Sequence, residues 1–206
     1  AETADVIAFL ERLTRKVKAA LVIDTTDPVV LEEALKRTPG KCIINSINLE
    51  DGEARFELVV PIARRYGAAL IVGCIDDDPN QAQAITRDRK LEVAQRSYDL
   101  LTTKYGVPPE DIIFDPLVFP VGTGDANYTG SGVETIEGVR LIKAAMPAAK
   151  TILGISNVSF GLPPAGREVL NSVFLYHCVQ AGLDMAIVNS ERMVRYASIP
   201  EVERRH

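Results

Sequence analysis

Aspartate and asparagine side chains recur directly after short apolar runs along this sequence of 206 residues. The six positions are Asp24, Asn45, Asp76, Asp115, Asn157 and Asn189. A carboxylate can accept two parallel N–H groups, and a carboxamide can donate one hydrogen bond while it accepts another. Such side chains, gathered at one place, suit a flat ligand whose edge alternates hydrogen-bond donors and acceptors.

Each of these side chains can also cap the next helix or turn, because Asp and Asn favour such positions. That alternative stays open for any single position. It is less favoured for all six together, since Ser and Thr are also common caps and here the polar group falls at the last strand position. A 2-amino-4-oxo pyrimidine edge, as in a pterin, has the matching pattern, so a small organic ligand of this kind is predicted.

Two other kinds of active site need more histidine than the sequence contains. Hydrolytic metal sites on barrels usually draw on several histidines, and a Ser-His-Asp site needs one beside the nucleophile. The histidines are His177, inside a helical stretch, and His206, at the terminus. We therefore predict no metal site and interpret His177 as a packed or partly exposed helix residue.

The composition predicts one domain with a sizeable core over residues 1–206, with 47% hydrophobic and 25% charged residues. The net charge is −5 and the basic residues are scattered among acids, which argues against a nucleic-acid partner. Neither a membrane span nor a secretory signal is found, so a cytoplasmic protein is expected. Cys42, Cys74 and Cys178 lie far apart in apolar segments and are expected to be buried free thiols.

Six apolar runs rich in Val and Ile predict the strands that position the polar side chains. They cover residues 20–24, 41–47, 68–76, 111–118, 151–157 and 184–189. The runs are continuous rather than alternating, which is typical of strands buried on both faces of a parallel sheet. Stretches with helical spacing separate them, and left-handed C-caps are predicted at Gly40, Gly67, Gly106 and Gly182. The sequence therefore predicts repeating α/β units.

Two architectures accommodate such repeats. An open doubly wound sheet that binds a dinucleotide needs G-x-G-x-x-G directly after a strand, and Gly122-Thr123-Gly124 lacks the third glycine. A (β/α)8 TIM barrel instead assembles its site from many strand ends, which matches the positions of the polar residues. We therefore predict most of such a barrel, with parallel neighbouring strands and one mouth that gathers Asp24, Asn45, Asp115 and Asn157.

Six segments, in order over almost the whole chain, are specific enough to compare with known families. They are LVIDTTDP (21–28), IINSIN (43–48), RRYGAALIV (64–72), PPEDIIFDPLVFPVGTG (108–124), SNVSFGLPPAGRE (156–168) and FLYHCVQAGLDMAIVN (174–189). They closely resemble the pterin-binding domains of cobalamin-dependent methionine synthases. The same superfamily includes corrinoid protein methyltransferases of acetogens and dihydropteroate synthase. Dihydropteroate synthase is the weaker match, because Ser156-Asn157-Val158-Ser159 replaces its Ser-Arg-Lys strand motif.

The resemblance implies roles for individual residues. The residues that it places on the pterin are Asp24, Asn45, Asp115 and Asn157. Asn157 is expected beside N5, the nitrogen that carries the methyl group, and is the candidate catalytic residue. Possible further contacts are Asp76, Asn189 and Arg167. Arg167 is expected either to fix the SNVSF loop or to hold the acidic side of a folate, with a salt bridge at a helix start as the alternative.

The resemblance also implies a reaction, in which the N5 methyl group of 5-methyltetrahydrofolate passes to cob(I)alamin on the way to homocysteine and methionine. Cobalamin is expected on another domain of the same enzyme and zinc in a separate homocysteine domain. The family pattern aligns Ala1 with the helix after the second barrel strand, so the first two strands are expected outside this sequence. Two alternatives stay open: another corrinoid-dependent methyltetrahydrofolate methyltransferase, and a pterin-binding module without chemistry of its own.

Overall fold

The computed structural model describes residues 3–204, in which six parallel strands form one sheet that curls into half of a barrel. Across the sheet the strands follow their order in the sequence. They are β1 (Val22–Asp24), β2 (Ile43–Ile47), β3 (Ala69–Gly73), β4 (Ile112–Asp115), β5 (Lys150–Gly154) and β6 (Met185–Ile187). Each predicted run overlaps one strand, and only β5 begins one residue before its run, so the predicted α/β fold with parallel neighbours is confirmed.

The α-helices are α1 (Thr3–Leu13), α2 (Pro28–Arg37), α3 (Ala54–Tyr66), α4 (Arg87–Asp99), α5 (Ser131–Ala145), α6 (Pro164–Gln180) and α7 (Glu201–Arg204). Five of the helices, α2 to α6, connect consecutive strands, as parallel pairing requires, while α1 precedes β1 and α7 follows β6. Between residues 3 and 204 no helix combines the length and the apolar character that a membrane crossing demands.

The strands divide their side chains between two faces of the sheet, because successive residues point to opposite sides. The outer face packs under the helices and contributes Ile44, Leu70, Val72, Ile112 and Phe114 to the largest core cluster. The inner face carries a separate apolar cluster, composed of Ala69, Ile71, Ile113 and Ile152 with Ile43 and Met185 against it. The inner apolar cluster therefore fills the concave side of the sheet.

Local sequence signals determine where the helices begin and end. Asp27 caps α2, since its Oδ1 accepts hydrogen bonds from the backbone N–H groups of Val29 at 2.8 Å and Val30 at 3.3 Å. Gly67 ends α3 in the left-handed conformation, with φ of 66°. All four predicted glycines are left-handed, with φ between 61° and 103°, as predicted, although Gly40 lies two residues after Thr38, the C-cap of α2. The prediction that the three cysteines are buried free thiols is also confirmed.

Three of the six polar residues lie beyond the strands. Asp76 and Asn189 lie in loops and Asn157 lies in the short 3-10 helix Ile155–Ser159, because β3, β5 and β6 end two or three residues earlier. The prediction that these residues occupy the last strand positions is wrong, and it is also wrong for Asn45, which is the third of the five residues of β2. Only Asp24 and Asp115 end their strands. The apolar runs are longer than the strands, since Cys74 and Ile155 are buried in the core after strand pairing has ended.

We expect Gly67→Ala to destabilise the domain by about 1–2 kcal/mol. A Cβ at this position meets no atom within 4 Å, so the cost comes from holding an alanine at positive φ. Gly166 is the matched control, because it lies in α6 with equally open space and without positive φ, and Gly166→Ala is expected to stabilise by about 0.4–1 kcal/mol. Urea unfolding measures both, and equal effects of the two substitutions would contradict the C-cap assignment.

Candidate functional site

The strand register places polar residues together on the inner face at the carboxyl end of the sheet. Asp24 of β1 is paired with Asn45 of β2, and Gly73 of β3 is paired with Asp115 of β4. Asn45 and Asp115 each follow an inner-face isoleucine by two residues, so they share that face. We call Asp24, Asn45, Gly73, Asp115 and Gly154 the polar layer. Its two glycines add no side chains between the polar groups, and Gly154 lines a cavity.

Asn157 joins the polar layer from the loop after β5. Together with Asp115 it lines a cavity of about 270 Å³, to which Phe119, Phe160 and Gln83 also contribute. The Nδ2 atom of Asn157 lies 3.4 Å from the point where a Cβ on Gly154 would stand. The glycine therefore allows the amide to lie across the end of β5, within the cavity that Asp115 enters.

The polar groups of this site are largely unused by the protein itself. Across residues 3–204, the side chains of Asp24, Asn45 and Asn157 have no hydrogen-bond partner. Asp115 accepts one hydrogen bond, from the backbone N–H of Leu117 to Oδ1 at 2.9 Å, which leaves Oδ2 free. Asp24 is exposed and open to solvent, but polar groups inside proteins are normally paired, so the unused capacity of the half-buried Asn45, Asp115 and Asn157 indicates a ligand or ordered water.

Asp115 has unusual electrostatics. It is half-buried at the cavity wall, and burial raises the pKa of its carboxyl group to about 6. The Leu117 N–H and the charge of Lys90 act in the opposite direction and lower that pKa. Since the carboxyl group titrates close to neutrality, a ligand that donates hydrogen bonds to it changes its charge state.

The structure brings the predicted site residues together in two pairs. Asp24 and Asn45 are neighbours in register, and Asp115 and Asn157 share one cavity. The two pairs do not line a common cavity, because Asp24 faces a groove of about 480 Å³ between β1 and α1 that contains Phe9. All four lie at the carboxyl end of the sheet.

Asp76 serves a different purpose from the predicted one. It is 3% exposed, and its carboxylate accepts hydrogen bonds from Arg89 at 2.5 Å and Arg96 at 3.2 Å. The two guanidinium groups therefore bind the Asp76 carboxylate in a structural ion pair that joins the β3–α4 loop to α4. Asp76 is therefore not part of the candidate site.

Asn189 caps a turn, the general alternative considered for the polar residues. Its Oδ1 accepts a hydrogen bond from the Glu191 N–H at 3.1 Å. With Arg167 it lines another cavity, of about 250 Å³, beside α6. Arg167 holds the SNVSF loop, since its guanidinium donates to the Ser159 hydroxyl at 3.0 Å and to the Ser156 carbonyl at 3.3 Å.

Three residues near the site are absent from the sequence-based prediction. Gln83 and Phe119 line the cavity from loops, where sequence spacing gives no signal. Lys90 is completely buried beside the β4–α5 loop, although its neighbours in the stretch RDRK suggest a solvated helix start. Its position becomes evident only from tertiary packing.

No grouping of His, Cys, Asp and Glu within residues 3–204 could hold a metal ion. His177 is exposed on α6 and its ring contacts Tyr176 edge-on, with centroids 5.3 Å apart. His206 lies outside the described residues.

Residues 1–189 match the model of a family described as pterin binding enzyme. Among curated proteins, methionine synthase of Mycobacterium tuberculosis (strain ATCC 25618 / H37Rv) is 40% identical over 204 residues. Methionine synthase of Mycobacterium leprae (strain TN) is 41% identical over the same length. Each alignment covers 98% of this chain, and the chain spans only 17% of the length of these relatives.

Solved structures with a similar fold include dihydropteroate synthases. The enzyme from Thermus thermophilus superimposes with a TM-score of 0.65 at 21% identity, covering 93% of this chain and 74% of that one. The Yersinia pestis enzyme gives a TM-score of 0.64 at 12% identity, with the same coverage of both chains. At such identities the likeness shows the fold, and it supports the assignment of the six strands to a TIM-type barrel.

We expect Asp115→Asn to stabilise the ligand-free protein at neutral pH. The folded protein raises the pKa of Asp115 to about 6, so ionisation costs stability increasingly as pH rises from about 4 to 6, and the cost is constant above that range. The variant avoids this cost, and its Oδ1 can still accept from Leu117. A gain of about 1–2 kcal/mol is expected at pH 7.5, since one pKa unit corresponds to about 1.4 kcal/mol and cavity water reduces the effect.

Urea unfolding at pH 4 and pH 7.5 measures this gain. Most of the advantage of Asp115→Asn should be lost at pH 4, where the wild-type carboxyl is protonated in the folded state and about half protonated in the unfolded state. Asp24→Asn is the control, because Asp24 is exposed and surface substitutions usually stay within about 0.5 kcal/mol. A gain that does not change between the two pH values would show that burial does not raise the Asp115 pKa.

Proposed function

This chain belongs to the pterin binding enzyme family, and from that premise we propose that it binds 5-methyltetrahydrofolate and presents the N5 methyl group for transfer to cob(I)alamin. Of the curated relatives, both methionine synthases are at least 40% identical to it. They support this activity over other reactions of pterin-binding barrels. In the proposed pathway the methyl group continues from cobalamin to homocysteine, which gives methionine.

The observation that carries the proposal is the unused hydrogen-bonding capacity of the polar layer. A pterin edge offers a ring N–H and an exocyclic amino group to a carboxylate, and a carbonyl to an amide. Asp115 has a free Oδ2, and the Asn45 and Asp24 side chains have no partner within the described chain. Gly154 lines the same cavity as Asp115 and Asn157, and its missing side chain leaves room there for part of the ring.

The proposed reaction requires groups that other parts of the enzyme would supply. The sequence carries no Asp-x-His-x-x-Gly cobalamin motif and no adjacent cysteine pair for zinc. In the proposed arrangement a separate domain brings the corrinoid, which supplies the nucleophile that accepts the methyl group, and another domain holds homocysteine at zinc. The residues of this chain would bind the folate and favour protonation of N5 as its methyl group leaves.

Breaking the bond between N5 and its methyl group leaves an electron pair on the nitrogen. A neutral tertiary amine is a poor leaving group, so N5 must gain a proton or a strong hydrogen bond as the bond breaks. General acid assistance of this kind typically gives about 10²–10⁴-fold in rate. The protein therefore has to favour protonated N5 in the transition state.

We assign this role to Asn157. Its amide is half-buried in the cavity, has no partner among residues 3–204, and can present either the oxygen or the nitrogen to N5. An amide oxygen that accepts from protonated N5 stabilises the charge that develops there. Since asparagine has no proton to give, the proton would come through water and the neighbouring carboxylates.

Asp115 would bind the pterin and also adjust the proton balance of the site. Its ionised form accepts the pterin N–H groups, and a pKa of about 6 keeps it mostly ionised at neutral pH. Phe119 and Phe160 line the same cavity and offer apolar contact to the ring. The site would thus combine side chains that orient the pterin ring with an Asp115 carboxyl whose charge changes when the ligand binds.

Single-turnover methyl transfer from 5-methyltetrahydrofolate to added cob(I)alamin tests the proposal in the intact protein. Formation of methylcobalamin that depends on this chain is the expected result. Folate binding without transfer would instead support a pterin-binding module that has no chemistry of its own. Transfer from simple methylamines in preference to methyltetrahydrofolate would support a different barrel methyltransferase.

Asp115→Ala should weaken binding of 5-methyltetrahydrofolate by about 1.5–3 kcal/mol, the usual worth of hydrogen bonds to a charged group. The pterin edge loses its carboxylate partner, while the apolar wall of the cavity stays in place. Calorimetric titration of the folate measures the change directly. Asp111→Ala is a suitable control, because Asp111 lies at the opposite end of the same strand. An unchanged dissociation constant for Asp115→Ala would remove this residue from the site.

Asn157→Ala should lower the rate of methyl transfer far more than it weakens binding. Loss of one polar contact at developing charge costs about 10²–10³-fold in rate, while loss of a neutral hydrogen bond in the ground state costs about 0.5–1.5 kcal/mol. Single-turnover transfer and equilibrium folate binding, measured on the same protein, separate the two effects. Equal losses in rate and binding would mean that Asn157 only holds the pterin, and a normal rate would refute its place beside N5.

A further inference from the structure

Lys90, in the first turn of α4, has all of its side chain inside the protein. Its exposure is 0%, and its Nζ donates to three backbone carbonyls: Ala84 at 2.8 Å, Pro116 at 2.5 Å and Leu117 at 3.2 Å. An ammonium group has three donors, so these carbonyls use its whole capacity. Burial lowers the pKa of Lys90 to about 8. A buried charge of this kind is costly unless it is well solvated by the protein, which indicates a specific purpose.

Two of the three carbonyls that Lys90 holds, those of Pro116 and Leu117, directly follow Asp115 in the chain. Leu117 has a positive φ of 66°, a conformation that costs a residue with a side chain about 1–2 kcal/mol. Its carbonyl accepts from Lys90 and, at 3.0 Å, from the hydroxyl of Thr135 in α5. The Pro116 carbonyl, which Lys90 also binds, belongs to the same peptide unit as the Leu117 N–H and points away from it, and this N–H donates to Oδ1 of Asp115. The lysine and the pterin-binding carboxylate are thus connected through one strained residue.

The helix opposite Lys90 leaves space for it. A Cβ on Gly138 of α5 would lie 2.6 Å from Cδ of Lys90, closer than real Cβ contacts come. Gly138 and Thr135 lie one turn apart on α5, so the same face of that helix admits the lysine stem and binds the Leu117 carbonyl. On its other side the Lys90 Nζ lies 5.0 Å from the ring centroid of Phe119, a residue of the cavity wall.

Three acidic groups lie within electrostatic reach of Lys90: Cys74, Asp115 and Glu134. The Cys74 thiol stays neutral near pH 7, because burial raises its pKa to about 12. Glu134 is bound by the Arg87 guanidinium at 2.6 Å. Asp115 has a free oxygen and titrates close to neutral pH, so among these three groups it is the one whose charge the lysine most affects.

We propose that Lys90 is a positioning residue that holds Asp115 in its pterin-binding orientation and in its ionised form. The orientation is set through the Pro116 and Leu117 carbonyls, and the ionised form is favoured by the buried positive charge. The proposal rests on the proposed function for its ligand, and its effect on the Asp115 carboxyl can be measured without any ligand.

Lys90→Met, which keeps the length of the side chain and removes its charge, is the first test. Affinity for 5-methyltetrahydrofolate at pH 7 should fall by about tenfold, the equivalent of about 1.4 kcal/mol. Without the positive charge the Asp115 carboxyl should titrate higher by about one pH unit, since opposite charges nearby lower carboxyl pKa values by about 1–3 units. The low-pH decline of folate affinity should move upward by the same amount.

Two controls separate this role from general damage to the core. Val93→Ala removes buried volume from the next turn of α4 without any change of charge, so it should lower stability and leave the pH dependence of affinity unchanged. Gly138→Ala displaces the lysine stem without removing its charge, and it should weaken folate binding, whereas Gly166→Ala, in open space, should not. If Lys90→Met does not fold, the folate affinities of Gly138→Ala and of its control Gly166→Ala test the proposal instead.

Nuclear magnetic resonance of carbon-13-labelled aspartate carboxyl groups reports the Asp115 titration directly, with the signal assigned from Asp115→Asn. A higher Asp115 pKa in Lys90→Met supports the proposal even if the wild-type protein fails to bind 5-methyltetrahydrofolate, a failure that would refute the proposed function alone. An unshifted Asp115 titration would overturn the proposal, whether affinity is normal or is reduced equally at every pH.

Discussion

The register of the parallel strands is the constraint on which the rest of this structure depends. Because side chains alternate along each strand, the inner-face isoleucines of β2 and β4 fix where Asn45 and Asp115 must stand. A shift of one residue would turn both polar groups into the apolar layer under the helices. The apolar cluster that stabilises the concave face therefore also places the polar layer at the carboxyl end of the sheet.

Basic side chains near helix starts then fix the loops around that layer. Arg55 of α3 donates to the Thr26 and Thr25 carbonyls at 2.6 and 3.1 Å, next to Asp24. Lys90 and Arg167 do the same for the loops after β4 and β5. Carbonyls that would otherwise need water are thus bound by buried or half-buried cations. This arrangement keeps the mouth of the sheet ordered while the side chains of the site stay available.

Sequence patterns predicted much of the fold, because continuous apolar runs and C-cap glycines depend on local chemistry. They also predicted that Asp24, Asn45 and Asp115 lie together, although only Asp24 and Asp115 end their strands and Asn45 lies in the middle of β2. The same signals failed for Asp76, whose carboxylate is occupied by arginines that lie 13 and 20 residues further on. They also could not detect Lys90, because its burial depends on Gly138 in another helix and on loop carbonyls. Such contacts between distant elements require the three-dimensional structure.

The central claim is that a pterin edge binds the ionised Asp115 carboxylate, and the number of protons released on binding tests it most directly. Titration calorimetry with 5-methyltetrahydrofolate in buffers of different ionisation enthalpy gives that number. A carboxyl with a pKa of about 6 is half protonated at pH 6, so binding should release about half a proton there and almost none at pH 8. Equal proton release at both pH values, or proton uptake at pH 6, would contradict the account.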